Sequence, residues 1–182
     1  MWLPGILWIA FILYWNNAAK GAAPAVSAES PKSRQVHQLL MWGSILLLFV
    51  RFPPLTLRLW PRTPLMIAIG VIVQATAFVF AAWARRHLGR NWSGAITAKA
   101  DHQLVRSGPY RFVRHPIYTG MLGMFLGTTI VSGELHAMVA FVVMSAAYAR
   151  KIRLEEHHLR GLFGDAYEDY RRESAALIPG IL

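Results

Sequence analysis

The stretch Leu104-Val-Arg-Ser-Gly-Pro-Tyr-Arg-Phe-Val-Arg-His-Pro-Ile-Tyr-Thr-Gly120 holds three arginines, two tyrosines and a histidine in seventeen residues. It runs directly into an apolar block. Gly108-Pro109 is a turn pair. His115-Pro116 opens a helix, because proline suits the first helical position, where its missing N–H costs nothing. The N–H groups of that first turn, together with the helix dipole, favour an anion. Polar groups gathered where a membrane helix begins point to a binding site.

Working outward, the chain of 182 residues is 55% hydrophobic and 15% charged, too apolar for an ordinary soluble domain. Its apolar residues fall in five blocks: Trp2–Trp15, Leu39–Phe52, Leu65–Ala84, Ile117–Val131 and Leu135–Ala149. The expected fold is an all-α integral membrane protein with five transmembrane helices, four spans or a re-entrant hairpin being the competing count. Only the third block clearly reaches the ~20 residues of a straight span, and the first two lengthen if helix continues into their flanks. Ser132-Gly133-Glu134 joins the last two blocks into a tight helical hairpin. Asn16–Val36 reads as a loop, and Gly89-Arg-Asn-Trp-Ser-Gly94 breaks the third helix. Beyond Ala149 the fifth helix continues as a polar extension until Phe163-Gly164. Asp165–Arg172 forms a short polar helix, and the apolar residues 175–182 fold back on the membrane face.

The net charge of +10 does not indicate nucleic acid, because the basic residues lie between apolar blocks. They act there as topology signals and contacts to anionic lipid. With the N-terminus outside and the C-terminus cytoplasmic, all nineteen lysines and arginines except Arg51, Arg58 and Arg62 face the cytoplasm. A signal-peptide reading of Trp2–Ala28 competes. It lacks a basic n-region, and removal of that segment would spoil the charge asymmetry. The absence of cysteine excludes disulfides, thiol catalysis and cysteine metal sites.

Glu155 and Glu156 are adjacent carboxylates. Lys151–Glu155 and Glu156–Arg160 are i,i+4 pairs, worth a few tenths of a kcal/mol each, so surface electrostatics alone accounts for them. The hairpin, however, brings them near His115, and a carboxylate there can bind a cationic or hydroxyl-rich ligand. His115 is expected to be neutral, because a helix N-terminus disfavours its charged form. Tyr118 shares its helix face. Gly120, Gly123 and Gly127 read as a surface for close helix packing. His157-His158 point in different directions on a helix, no metal-ligand spacing occurs, and no phosphate loop or dinucleotide fingerprint is present.

These residues resemble the isoprenylcysteine carboxyl methyltransferase family, within the wider group that includes the phospholipid N-methyltransferases. The resemblance rests on Gly89-Arg-Asn-Trp-Ser93, His102-Gln-Leu-Val105, Gly108-Pro-Tyr110 and Arg114-His-Pro-Ile-Tyr-Thr-Gly120. Glu155-Glu156, Phe163-Gly164, Tyr167 and Tyr170 follow in order, so it covers roughly the C-terminal half. It implies two regions: residues 1–84 as three N-terminal spans, and residues 85–182 as a methyltransferase region with a cytoplasmic pocket for S-adenosylmethionine. By resemblance His102, Leu104, Val105, Tyr110, His115, Pro116, Tyr118, Glu155 and Glu156 bind that cofactor. The family's substrate-orienting arginine aligns with Lys151, flanked by Arg150 and Arg153, where lysine supplies a point charge rather than a fork. A glutamine that contacts cofactor in some relatives falls near Ala95–Thr97, and none stands there.

The implied activity is S-adenosylmethionine-dependent methylation of an amphiphilic substrate, foremost a lipidic carboxylate such as an isoprenylcysteine, without a metal. The implied partners are the bilayer and a lipidated or amphiphilic acceptor. Three readings compete: a phospholipid-type N-methyltransferase, a membrane reductase of the sterol type using NADPH, and a non-enzymatic protein binding anionic lipid.

Overall fold

Gly-rich faces bring two of the helices into backbone contact, and the rest of the bundle is arranged around that pair. The computed structural model describes residues 2–20, 26–27, 29–51, 53–93, 97–98 and 104–180. The pair consists of α3, Pro64–Leu88, and α4, Pro116–Ser132. A β-carbon at Gly127 would lie 2.5 Å from the Gly70 carbonyl oxygen, and one at Gly120 would lie 2.6 Å from Ala81 Cβ. No larger residue fits at either place without moving a backbone. The glycine face of α4, expected to pack closely on a neighbouring helix, therefore meets α3.

That next helix, α5 (Leu135–Phe163), follows a turn made by Gly133, whose φ of 66° lies in the left-handed region. At 1.5 Å per residue, its 29 residues span about 44 Å. It outruns the apolar stretch ending at Ala149 and carries Arg150 to Arg160 beyond it. Gly164, with φ 51°, ends it. The short helix α6, Asp165–Glu173, then turns back.

Helices α1 (Trp2–Ala19) and α2 (Pro31–Phe49) complete the bundle. The expected loop Asn16–Val36 is shorter than the sequence suggested. Ser30 caps α2 by accepting from Ser33 N–H, and Pro31 takes the first helical position, so helix starts well before the apolar block. Trp8 of α1 donates to Thr128 of α4 at 3.0 Å, and Gln74 of α3 donates to the Pro4 carbonyl at 3.1 Å. A two-residue antiparallel ladder pairs β1, Val26–Ser27, with β2, Thr97–Ala98.

The two ends of the bundle have different polar fastenings. At one end Arg51 and Arg58 meet Glu134 at 2.6 and 3.0 Å, which ties the α2–α3 connection to the α4–α5 turn. At the other, Arg85 of α3 donates to the Ala18 carbonyl of α1 at 2.5 Å, and Arg150 of α5 reaches Ser33 of α2 at 2.8 Å. Between these ends the outside is apolar: Ile6, Ile9, Leu39, Trp42, Ile72 and Val79 are exposed. Such a surface suits lipid rather than water. Among the described residues, α3 and α5 are long and apolar enough to cross a membrane, and α4 is a shorter apolar helix.

Candidate active site

The polar end of the bundle holds a cavity of about 180 Å³. Its walls come from the end of α3, the segment before α4, the first turn of α4, the polar extension of α5, and α6. Leu104, Val105, Tyr110, His115, Pro116, Tyr118 and Glu155, all expected at the site, line it. His102 lies outside the described residues.

Glu155 is the centre of this arrangement. The Tyr118 hydroxyl donates to Glu155 Oε1 at 2.5 Å, and His115 Nδ1 lies 3.5 Å from Oε2. The His115 and Tyr118 rings stack at 5.7 Å, and Tyr118 stacks on Tyr148 at 4.5 Å. Tyr118 thus commits its ring to its neighbours and its hydroxyl to Glu155. It serves as a brace for the carboxylate.

Glu156 points elsewhere, because successive residues on a helix diverge by about 100°. It does not line the cavity. It takes a hydrogen bond from Arg114 Nε at 2.8 Å, faces His115 Nε2 at 3.3 Å, and has Arg171 Nε at 3.4 Å. Arg114 in turn donates to the carbonyls of Arg171 and Ser174. The N–H groups of Arg114 and His115 donate to Ala175 and Ala176 carbonyls at 2.8 and 3.1 Å. Thr119 donates to the Leu177 carbonyl at 2.7 Å. The C-terminal segment is therefore strapped across the start of α4. It takes the backbone donors of Arg114 and His115, just before the first turn of α4.

His115 sits between both glutamates, and they act against the neutral form expected at a helix start. Burial alone would lower its pKa. Hydrogen bonding to Glu155 and Glu156, with their charges, raises it above the ordinary 6.5. Two carboxylates in contact favour the charged form. For Glu156, burial pushes upward, but His115 and Arg114 hold it down at about 2. His115 therefore stabilises the fold fully below pH 6.5 and loses that contribution as pH rises through its raised value. Glu156 stabilises above its ordinary 4.5 and loses its contribution as pH falls toward about 2. In detergent, thermal unfolding followed by tryptophan fluorescence should have its highest midpoint between 4.5 and 6.5. The alkaline decline should shrink in His115→Gln. A wild-type midpoint that stays level above that range would remove the clamp from the account.

Sequence reasoning named no site residue from the end of α3 or from α6. Leu88, Asn91, Trp92 and Ser93 close one side of the cavity, and Tyr167 and Tyr170 close another. His158, Leu159 and Phe163 also line it. A signal for these was present, since they lie three, four and eight positions after Glu155, on one helix face. The three basic residues expected to position a substrate are outside the cavity lining. Lys151 is buried, with Nζ 3.7 Å from Glu29, Arg150 is bonded to Ser33, and Arg153 is exposed.

The donor set suits an amphiphilic, cationic ligand with hydroxyl groups. Glu155 supplies a carboxylate. Trp92, Tyr110 and Phe163 supply flat apolar walls, with Leu88, Val105 and Leu159 between them. S-adenosylmethionine has matching parts in its ammonium, sulfonium, ribose hydroxyls and adenine, so the residues present fit it.

Comparison with known proteins gives the family. The family model described as phospholipid methyltransferase matches residues 65–166. The protein-S-isoprenylcysteine O-methyltransferase of Schizosaccharomyces pombe is 29% identical over 180 residues, covering 94% of this chain and 71% of that protein. Protein-S-isoprenylcysteine O-methyltransferase B of Arabidopsis thaliana is 33% identical over 115 residues, 63% of this chain and 56% of its own. Among solved structures, the eukaryotic intramembrane Ras methyltransferase, an isoprenylcysteine carboxyl methyltransferase, superposes with a TM-score of 0.60 at 26% identity. That match covers 84% of this chain and 54% of the other, so this chain spans only about half the length of the solved relative. The match through α3, α4 and α5, and the apolar helices themselves, make this an integral membrane protein. The chain belongs to the phospholipid methyltransferase family, and within it the likeness is to the isoprenylcysteine carboxyl methyltransferases.

Proposed function

We propose that this chain is an S-adenosylmethionine-dependent membrane methyltransferase that methylates the carboxylate of a lipidic acceptor of the isoprenylcysteine kind. The observation that carries the reading is Glu155, held by Tyr118 and His115 inside a cavity at the polar end of a membrane bundle. Five crossings, with the N-terminus outside and the cavity on the cytoplasmic side, are supported by the five apolar blocks and by where the basic residues cluster.

Bound S-adenosylmethionine would supply a methyl group on a positively charged sulfur. Glu155 would accept from its ammonium or ribose hydroxyls, with Tyr118 fixing the carboxylate's direction. Trp92, Tyr110 and Phe163 would cover its flat ring, and the strap with α6 would exclude water. Leu104, Val105 and Pro116 shape the wall beside it, and His102 joins them by resemblance. Lys151, one turn before Glu155 on α5, would orient the acceptor, with Arg150 and Arg153 adding positive charge nearby. A carboxylate is already ionised at neutral pH, so no general base is required. The protein's task is alignment.

Glu155 counts against NADPH, whose phosphates call for cations. Among the described residues, Arg114 is the one arginine lining the cavity, and it already faces Glu156. The test is transfer of a labelled methyl group from S-adenosylmethionine, offered side by side to an S-farnesylated N-acetylcysteine and to phosphatidylethanolamine. Label is expected in the first. Label only in the second would replace this reading with amine methylation, and label in neither would end it.

A further inference from the structure

Across the Tyr118–Tyr148 stack from the cavity lies a second polar cluster, between the start of α2 and the polar extension of α5. Lys151 is only 4% exposed, and its ammonium lies 3.7 Å from Glu29 Oε2. Ser33 donates to Glu29 Oε1 at 2.9 Å and receives Arg150 at 2.8 Å. His37 is 9% exposed, packs its ring on Tyr148 at 5.8 Å, and leaves Nδ1 without a hydrogen-bond partner among the described residues. It faces the charges of Lys151, Glu29, Glu155 and Arg150.

Two features of this cluster call for an occupant. A buried lysine–glutamate pair is poor value for stability, because desolvating both charges cancels most of their attraction. A buried ring nitrogen left unmatched is also unfavourable, and such atoms often mark a place where a ligand belongs. The location narrows the choice. Lys151 and Glu155 are four residues apart on one face of α5, so the cluster flanks the cavity about one helical turn away. The ammonium and the open imidazole nitrogen serve a carboxylate, and the group now on Lys151 is itself a carboxylate.

We propose that Glu29 is an internal stand-in for the acceptor's carboxylate. It holds Lys151 in the resting protein, and an incoming lipidic carboxylate displaces it and takes both Lys151 and the Nδ1–H of His37. Glu29 precedes the Ser30 cap, so it can leave without breaking a turn of α2. The inference rests on the carboxylate-methylation reading above and adds the residues that select and gate the acceptor. By competing for the same cation, Glu29 weakens binding of carboxylates while excluding lipids that carry none.

The test is acceptor binding, measured by calorimetry on full-length protein saturated with S-adenosylhomocysteine. The probes are an S-farnesylated N-acetylcysteine and its uncharged methyl ester. Glu29→Gln keeps the shape and removes the charge. It is expected to tighten binding of the acid several-fold, leave the ester unchanged, and lower the KM for the acid at constant kcat. His37→Phe should weaken binding of the acid and not the ester. Weaker or unchanged acid binding in Glu29→Gln would make Glu29 a structural partner of Lys151 and overturn the proposal. So would an equal gain for acid and ester. Failure of the underlying reading looks different: wild-type protein would then bind neither probe nor transfer methyl to the acid.

Discussion

Glu155→Gln is expected to weaken S-adenosylhomocysteine binding by one to two orders of magnitude and to reduce methyl transfer at least as much. The substitution is nearly isosteric, so packing against Tyr118 is retained. What is lost is a charge accepting from Tyr118 at 2.5 Å and facing His115 at 3.5 Å. Hydrogen bonds to a charged group contribute about 1.5–3 kcal/mol, which corresponds to about tenfold to more than hundredfold in affinity. The fold should survive, because Glu156 rather than Glu155 holds Arg114. Tyr118→Phe should give a smaller loss of the same kind, since it frees the carboxylate from its brace without removing it. Calorimetry on detergent-purified protein measures both. Wild-type affinity in Glu155→Gln would take the cofactor away from this cavity.

The neighbouring substitution, Glu156→Ala, should do the opposite and unfold the polar end. Arg114 and Glu156 are only 9% and 11% exposed, and His115 and Arg171 converge on the same carboxylate. Removing one member of a buried pair costs about 3–5 kcal/mol, because the remaining charge stays out of water. Here that charge is Arg114, which also anchors the strap through Arg171 and Ser174. A large fall in the thermal midpoint and early proteolysis after α6 are expected. The Glu134 cluster at the far end is a useful contrast. Arg51 and Arg58 keep 60% and 46% of their exposure, so solvent screens them and Glu134→Gln should cost much less. Equal losses from the two ends would show that burial is not what distinguishes them.

Much of this architecture was legible along the chain. The apolar blocks marked each helix, and Gly89, Gly133 and Gly164 marked three of the ends. Arg114-His-Pro-Ile-Tyr118 marked the start of α4 and the site beside it. These are local signals: a glycine at positive φ, a proline at a helix start and a run of apolar residues act through their own backbone and the surrounding solvent. The glycines of α4 also announced close packing, but not against which helix. Only the fold pairs Gly127 with Gly70 and Gly120 with Ala81.

The site divides in the same way. Residue types and spacing were enough to place an imidazole, a phenol and an acid near one another. The different tasks of Glu155 and Glu156 were beyond reach, because a single step along a helix separates a ligand-facing carboxylate from one buried among three cations. The pull on the charge of His115 was beyond reach for a related reason. The helix dipole that it caps is visible in its own segment, whereas the carboxylates that act against it lie some forty residues further on. Lys151 found Glu29 across the bundle, and the strap found the start of α4. Contacts of that kind depend on how whole helices are placed against one another, so packing decided them, while composition and spacing had already marked the helices, though not the early start of α2 at Pro31.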